Sequence, residues 1–356
     1  MIITVTMNPA IDKTIETDRL CPGALHRIRN MAWDAGGKGI NVSKTIRELG
    51  EKSIATGFLG GNAGKAIADS LSERGIEHDF IWLDGETRTN TKVLEADGRV
   101  TELNEPGPEV RGEQMEQLLE KLAGYAGYAG KGTLFVLSGS LPSGADKQVY
   151  ARIIRMAHEK GAEVLLDADG EAFRNALKAG PDIIKPNRAE LRECAGFYGW
   201  LQEAPEGCGE AGYGEPFRKA EAGYGEFFRA TGGESGRIGG YPAASLKRLL
   251  AAAEKCRERG VGTVVVSMGS DGALFVKDGY EAYAPAIPVR AHSTVGAGDA
   301  MVAALACAWN QRLGNEETVR LCMAAAAGAV TTVGTKPPGR ELVEELMEKV
   351  LRIREI

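Results

Sequence analysis

The chain has 356 residues, 43% of them hydrophobic and 26% charged. That length buries a substantial core in one large α/β domain or two ordinary ones, so size sets no limit on an enzyme. A formal net charge of -6 argues against a general electrostatic grip on nucleic acid, and any anionic ligand has to be held by local groups.

The first predicted element is a β-rich run at Ile2–Met7. Residues 10–33 then hold short polar and apolar alternations without room for full helices, and so do residues 86–104, in Thr91–Glu95 and Arg99–Leu103. These two segments predict a small separate sheet. Within the first of them, Asp12 in Asn8-Pro9-Ala10-Ile11-Asp12 either binds hydroxyls or completes a turn.

The glycine cluster Asp34-Ala35-Gly36-Gly37-Lys38-Gly39-Ile40-Asn41 opens a predicted helix, Val42–Leu49. Glycines without Cβ let a polyol approach the backbone, and Asn41 offers a donor and an acceptor to sugar hydroxyls. A tight turn capped by Asn41 accounts for the same letters. Further strands are predicted at Thr133–Leu137, Glu163–Leu166 and Thr263–Ser267, alternating with helical segments. After Asp146, for example, Val149, Ile153 and Ala157 recur four apart among Lys147, Arg152 and Glu159, the pattern of an amphipathic helix. Such alternation implies a mainly parallel sheet covered on both faces, with ligands at the carboxyl ends of its strands.

Lys185-Pro186-Asn187-Arg188-Ala189-Glu190 follows the apolar Ile183-Ile184. An Asn and a Glu three apart at a helix start suit the placement of water around a Mg²⁺ ion on nucleotide phosphates, and they equally make a capping box. From Gly196 to Gly240 the chain is glycine-rich and holds a tandem duplication, EAGYGEPFRKA at 210–220 and EAGYGEFFRAT at 221–231. Two copies are too few for a solenoid, so the segment reads as an insertion in one surface connection.

The strand-and-turn run Val264–Gly272 either wraps a nucleotide or is a plain β-turn. The most informative segment is His292-Ser293-Thr294-Val295-Gly296-Ala297-Gly298-Asp299, ahead of a predicted helix Ala300–Asn310, with another helix after Glu316. Small residues before a helix let backbone N–H groups converge on an anion. Asp299 then stands in the first turn, where a carboxylate can take a proton from an attacking hydroxyl or simply complement the helix dipole.

Standard nucleotide signatures are absent. Gly64-Lys65 has Leu59 in place of the first P-loop glycine and Ala66 in place of Ser or Thr, and Val42 replaces the third glycine of a dinucleotide fingerprint. Six cysteines form no C-x-x-C pair and four histidines lack metal-ligand spacing, which reads as reduced thiols without structural zinc. The opening MIITVTMNPAID has no basic n-region, and nowhere do eighteen apolar residues run uninterrupted. The expectation is a cytoplasmic protein with no membrane partner.

The four clusters, in this order, resemble the PfkB family of ribokinase-like sugar kinases over nearly the whole chain apart from 196–240. The resemblance implies a single domain over 1–356, a ribokinase-like α/β/α sandwich with a mainly parallel central sheet and a small β-sheet lid from 10–33 and 86–104. It implies ATP with Mg²⁺, a monovalent cation as a further candidate, Asp299 as catalytic base, and Gly296, Ala297 and Gly298 as the anion hole. It assigns Lys185, Asn187 and Glu190 to the phosphates and magnesium, and Ser267, Gly269, Ser270 and Gly272 to the nucleotide loop. Asp12, Gly36, Gly37, Lys38 and Asn41 fall to the sugar.

Within the family, NPAID, GGKGINVS, TRTNTK at 87–92, TELNEPGP at 101–108 and SGSLPSG at 138–144 are most similar to the kinases of ketohexose phosphates. A substrate already bearing phosphate needs a cation, and Arg88 offers a bidentate fork, with Ser138 as a small polar contact. Arg27 would reach that phosphate across a homodimer interface made by the lid. The expected reaction is phosphorylation of fructose 1-phosphate to fructose 1,6-bisphosphate, with tagatose 6-phosphate as the alternative acceptor. A non-catalytic sugar-phosphate sensor is the rival of another class, and Asp299 argues against it because binding alone needs no base. Ala300 stands where these kinases usually place serine, and Asp167-Ala168-Asp169-Gly170-Glu171 varies a segment usually richer in Ser or Thr.

Overall fold

All five residues of β1 (Ile2–Thr6) are buried, as a strand covered on both faces requires. In the computed structural model, which describes residues 1–129, 132–200, 237–238, 241–350 and 353–355, this strand is the middle of the fold. It is flanked in parallel by β4 (Ser53–Gly60) and β9 (Leu134–Ser138). Before reaching β4 the chain makes β2 (Ala10–Thr17), β3 (Asn30–Gly36) and α1 (Lys38–Glu48). Before β9 come α2 (Gly61–Glu73), β5 (Glu77–His78), β6 (Ile81–Leu83), β7 (Arg88–Glu95), β8 (Val100–Asn104) and α3 (Gly112–Ala129).

The sheet then grows on the other side. α4 (Val149–Glu159), β10 (Glu163–Asp167), α5 (Gly170–Leu177), β11 (Ile183–Ile184) and α6 (Arg188–Phe197) follow. β12 (Arg237–Ile238) and β13 (Tyr241–Pro242) form a separate hairpin before α7 (Ala243–Arg257). β14 (Thr263–Ser267), β15 (Ala273–Lys277) and β16 (Tyr280–Ala284) lead to α8 (Ala297–Gln311), α9 (Asn315–Val330), α10 (Arg340–Glu348) and β17 (Arg354–Glu355).

The main sheet runs β17-β16-β15-β14-β11-β10-β9-β1-β4-β5, with β6 also on β4. It is parallel from β5 to β14 and antiparallel beyond. One core lies between this sheet and α3 to α7, the other between it and α1, α8, α9 and α10. Among the described residues the protein is thus an α/β/α sandwich with a mainly parallel central sheet, as expected. Because β1 is extended first towards β4 and only later towards β9, the chain reverses direction at the β1/β9 pair, where open α/β sheets hold their ligands.

The second, four-stranded sheet has the order β3-β2-β7-β8, with β2 parallel to β7 and the other pairs antiparallel. It arises from the two segments predicted to make it. It hangs from the core by the short link from β1 into β2 and by Gly37, whose φ of 107° lets β3 turn straight into α1. Two helices begin earlier than predicted, α1 at Lys38 rather than Val42 and α8 at Ala297 rather than Ala300, because each glycine run is itself the first turn. Gly196 and Phe197 belong to α6 and Arg237–Ile238 to the hairpin, while residues 201–236 of the expected insertion, with its duplication at 210–231, lie outside the described residues. Among the described residues no helix is long and apolar enough to cross a membrane.

Candidate active site

Gly296 caps α8 in the left-handed region, φ 86°, and the first-turn amides of Ala297, Gly298 and Asp299 have no partner within the helix. Asp299 is buried, and its Oδ2 accepts from Asn41 Nδ2 at 2.9 Å. Burial, reinforced by the nearby Asp167 carboxylate, pushes the Asp299 pKa up to about 6, against the opposing pull of Asn41, Lys38 and Lys185. A carboxylate poised there accepts a proton near neutral pH. Asn41 is therefore no helix cap. Gly37 takes that place, and Asn41, one turn in, orients Asp299 instead.

Three polar residues close adjacent strands of the sheet in register, Thr6 beside Ser138 and Ser138 beside Asp167. Lys185 follows at the end of β11. Asp167 is fully buried between two cations, 3.2 Å from Lys185 Nζ and 3.6 Å from Lys38 Nζ. Although burial disfavours its charge, Lys185 and Lys38 outweigh this and hold its pKa below the usual carboxylate value. Burial likewise opposes the Lys38 charge, but Asp167, Asp299, Glu190 and Asp169 together hold the ammonium above its ordinary value. Lys185 reaches the first turn of α8, since a Cβ added to Gly298 would stand 3.5 Å from its Nζ.

Thr6, Lys38, Asn41, Ser138, Gly296 and Asp299 line a cleft of about 300 Å³ that also takes in Asn8, Asp12, Gly37, Asn90, Arg88, Asp169 and Thr335. Five buried side-chain oxygens or hydroxyls lining it have no hydrogen-bond partner: Thr6 Oγ1, Asn8 Oδ1, Asn41 Oδ1, Asn90 Oδ1 and Ser138 Oγ. Leaving so many buried polar atoms unpaired is costly unless a polar ligand pairs them. Asp12 lies in β2 rather than in a turn, with Asn90 Nδ2 at 3.5 Å and its pKa raised mainly by burial.

Not every expected contact takes the expected form. Space beside Gly36 and Gly37 is taken by the protein: a Cβ on Gly36 would collide with Asp12, and one on Gly37 with Thr6. These glycines let β1 and β2 pack on the α1 joint, and Gly37 also lines the cleft. Arg88 borders the cleft, yet its fork already donates to three carbonyls, Asn8 at 3.0 Å, Glu105 at 3.2 Å and Pro9 at 3.4 Å. Arg27 is exposed in the β2–β3 connection and does not line this cleft. Thr6, Asn8, Asn90, Asp169 and Thr335 escaped sequence reasoning. Thr6 is the one with a signal, a polar residue at the end of a buried strand.

At the far end, the Asn187 side chain accepts from Glu190 N at 2.9 Å while Glu190 Oε2 accepts from Asn187 N at 2.8 Å, a capping box. Ser267 joins them, its N–H donating to the Pro186 carbonyl at 3.0 Å. A turn at Gly269–Asp271 follows, with Gly269 and Ser270 exposed. Gly272 has φ 99°, and a Cβ there would collide with the Ala284 carbonyl. The Lys185 and Ser267 clusters are thus one surface. Among the described residues no group of three carboxylate, His or Cys side chains could cage a metal. With Asn187 Oδ1 and Glu190 Oε2 spent on the cap, this end fits a Mg²⁺ ion that arrives on phosphates and is met through water.

The pfkB family carbohydrate kinase pattern matches residues 5–214 and 228–341. The 1-phosphofructokinase of Xanthomonas campestris pv. campestris is 38% identical over 313 residues, 86% of this chain and 83% of that protein. That of Haloferax volcanii is 33% identical over 357 residues and covers 99% of both chains. Among solved structures, phosphofructokinase-2 from Escherichia coli in complex with potassium superposes with a TM-score of 0.80 at 26% identity, covering 99% of each chain. With a family pattern over most of its length and relatives of one activity aligned over most of both chains, the chain is a sugar-phosphate kinase and belongs to the pfkB family of carbohydrate kinases.

Proposed function

We propose that the protein transfers the γ-phosphoryl group of ATP to O6 of fructose 1-phosphate, giving fructose 1,6-bisphosphate, with Asp299 as the base. The observation that carries this is that five residues with an unpartnered buried polar atom line the cleft that holds Asp299. They suit a polyol. The acceptor hydroxyl sits at Asp299, and Asn41 keeps the carboxylate turned towards it. The phosphate that the sugar already carries lies towards Arg88, which borders the same cleft and has N–H groups left over from its three carbonyl bonds. On the other side of the base, the amides of α8 and Lys185 meet charge that develops on the transferred phosphoryl oxygens. Lys38, held by Asp167, lines the same cleft.

Magnesium bound with ATP supplies charge neutralisation at the phosphates, and a monovalent cation, as in the Escherichia coli complex, belongs to this reading. Turnover should fall when either ion is withheld. The relatives named for 1-phosphofructokinase favour fructose 1-phosphate over tagatose 6-phosphate. The decisive variant is Asp299→Asn, which keeps size and the Asn41 contact but cannot take the proton. Turnover should drop by about 10²- to 10⁴-fold while binding of fructose 1-phosphate by calorimetry stays near wild type. In the wild type, kcat/KM should rise with pH through about 6 as the Asp299 carboxylate loses its proton. A variant with wild-type kcat removes Asp299 from the mechanism.

A further inference from the structure

The joint between the small sheet and the core carries charges that phosphoryl transfer does not use. Lys44 of α1 is buried, and its ammonium donates to Asp34 Oδ2 at 2.8 Å and to the Ala35 carbonyl at 2.7 Å. Burial holds its pKa below the ordinary lysine value even with Asp34 beside it. Such an ammonium depends on its counter-charge, since removing one partner strands the other. Asp34 lies two residues before Gly36, where β3 turns into α1. Its Oδ1 stands 3.8 Å from Arg74 at the end of α2, and its Oδ2 accepts from Thr335 Oγ1 at 3.4 Å.

Thr335 links this joint to the chemistry. It lines the cleft with Gly296 and Asp299, and its Cα is 3.7 Å from where a Cβ on Gly296 would stand. Gly296 in turn sets the direction of the first-turn amides of α8. One carboxylate therefore touches the base of the small sheet, the helix that carries Asn41, and the loop on which the anion hole rests. We propose that Asp34 is a positioning residue: anchored by Lys44, it holds Thr335 and through it sets Gly296 as the small sheet settles over the cleft. At 3.4 Å the hydroxyl-to-carboxylate bond is long, and a shift of well under an ångström at the Gly36–Gly37 joint brings it to ordinary length.

The inference rests on the phosphoryl-transfer reading of the cleft, and its test has an arm that does not. Thr335→Val removes the hydroxyl at equal volume and leaves the Lys44 pair intact. Asp34→Ala made together with Lys44→Met removes the carboxylate without stranding an ammonium. Assayed where circular dichroism shows every variant folded, each should lower kcat about tenfold, the worth of one such hydrogen bond, with both KM values within about twofold of wild type. Combining all three substitutions should cost no more than either alone. In every variant the amides of 331–339 should exchange with deuterium faster than in wild type. Multiplying losses, an unchanged kcat in Thr335→Val, or unchanged exchange in 331–339 would each overturn the proposal. A wild-type chain without turnover on any sugar phosphate would defeat the functional reading instead, and the exchange arm would still decide whether Asp34 holds the loop.

Discussion

Arg88 shows how one residue can serve structure and substrate together. Its three bonds to the Asn8, Pro9 and Glu105 carbonyls tie β7 to the β1–β2 link and to the segment after β8. Those bonds engage all three guanidinium nitrogens and fix its plane, leaving one N–H on each Nη for a phosphate. Arg88→Ala should lower kcat/KM for the sugar phosphate by roughly ten- to a hundredfold, with little change in KM for ATP. Steady-state kinetics with each substrate varied in turn would check this. Unchanged kcat/KM for the sugar phosphate would leave Arg88 a structural clamp only. Arg88→Lys should recover little, because a point charge cannot hold three carbonyls and a phosphate at once.

At the scale of elements, each helix start in the site has one mechanism that the residues present can supply. α6 begins with a reciprocal cap from Asn187 and Glu190, and the cap itself places Glu190 towards Lys185. Asn187→Ala should cost about 1 kcal/mol of stability and also raise the Mg²⁺ concentration needed for half-maximal rate. A lower melting temperature with an unchanged Mg²⁺ dependence would confine Asn187 to capping. Much of this was legible in the sequence: alternating strands and helices set the sandwich, and the glycine runs marked both helix starts. What escaped it depends on pairing between distant segments. The alignment of Thr6, Ser138 and Asp167 comes from strand register, and the approach of Thr335 to Gly296 comes from how α9 ends, neither of which leaves a local pattern. Gly36 and Gly37 were legible as special, but their packing against Asp12 and Thr6 was not, because a sequence shows that a Cβ is missing and not what fills the space.

For the whole molecule, the small sheet presents Met31, Trp33 and Leu103 to solvent, each more than half exposed, and strand pairing puts them on one face, opposite that of Asp12 and Asn90. An exposed face of this kind, with Lys13 and Thr91 between Trp33 and Leu103, fits the expected homodimer through the small sheet. Met31→Lys combined with Trp33→Lys should turn a dimer into a monomer in sedimentation velocity. A wild type already monomeric at assay concentration would end that proposal and leave Arg27 without a role. The account as a whole stands on which acceptor the cleft reads, and a coupled ADP-release assay measures it directly with fructose 1-phosphate, fructose 6-phosphate, tagatose 6-phosphate, fructose and ribose. It predicts the highest kcat/KM for fructose 1-phosphate and weak turnover of the unphosphorylated sugars. Equal or faster turnover of free fructose or ribose would contradict it.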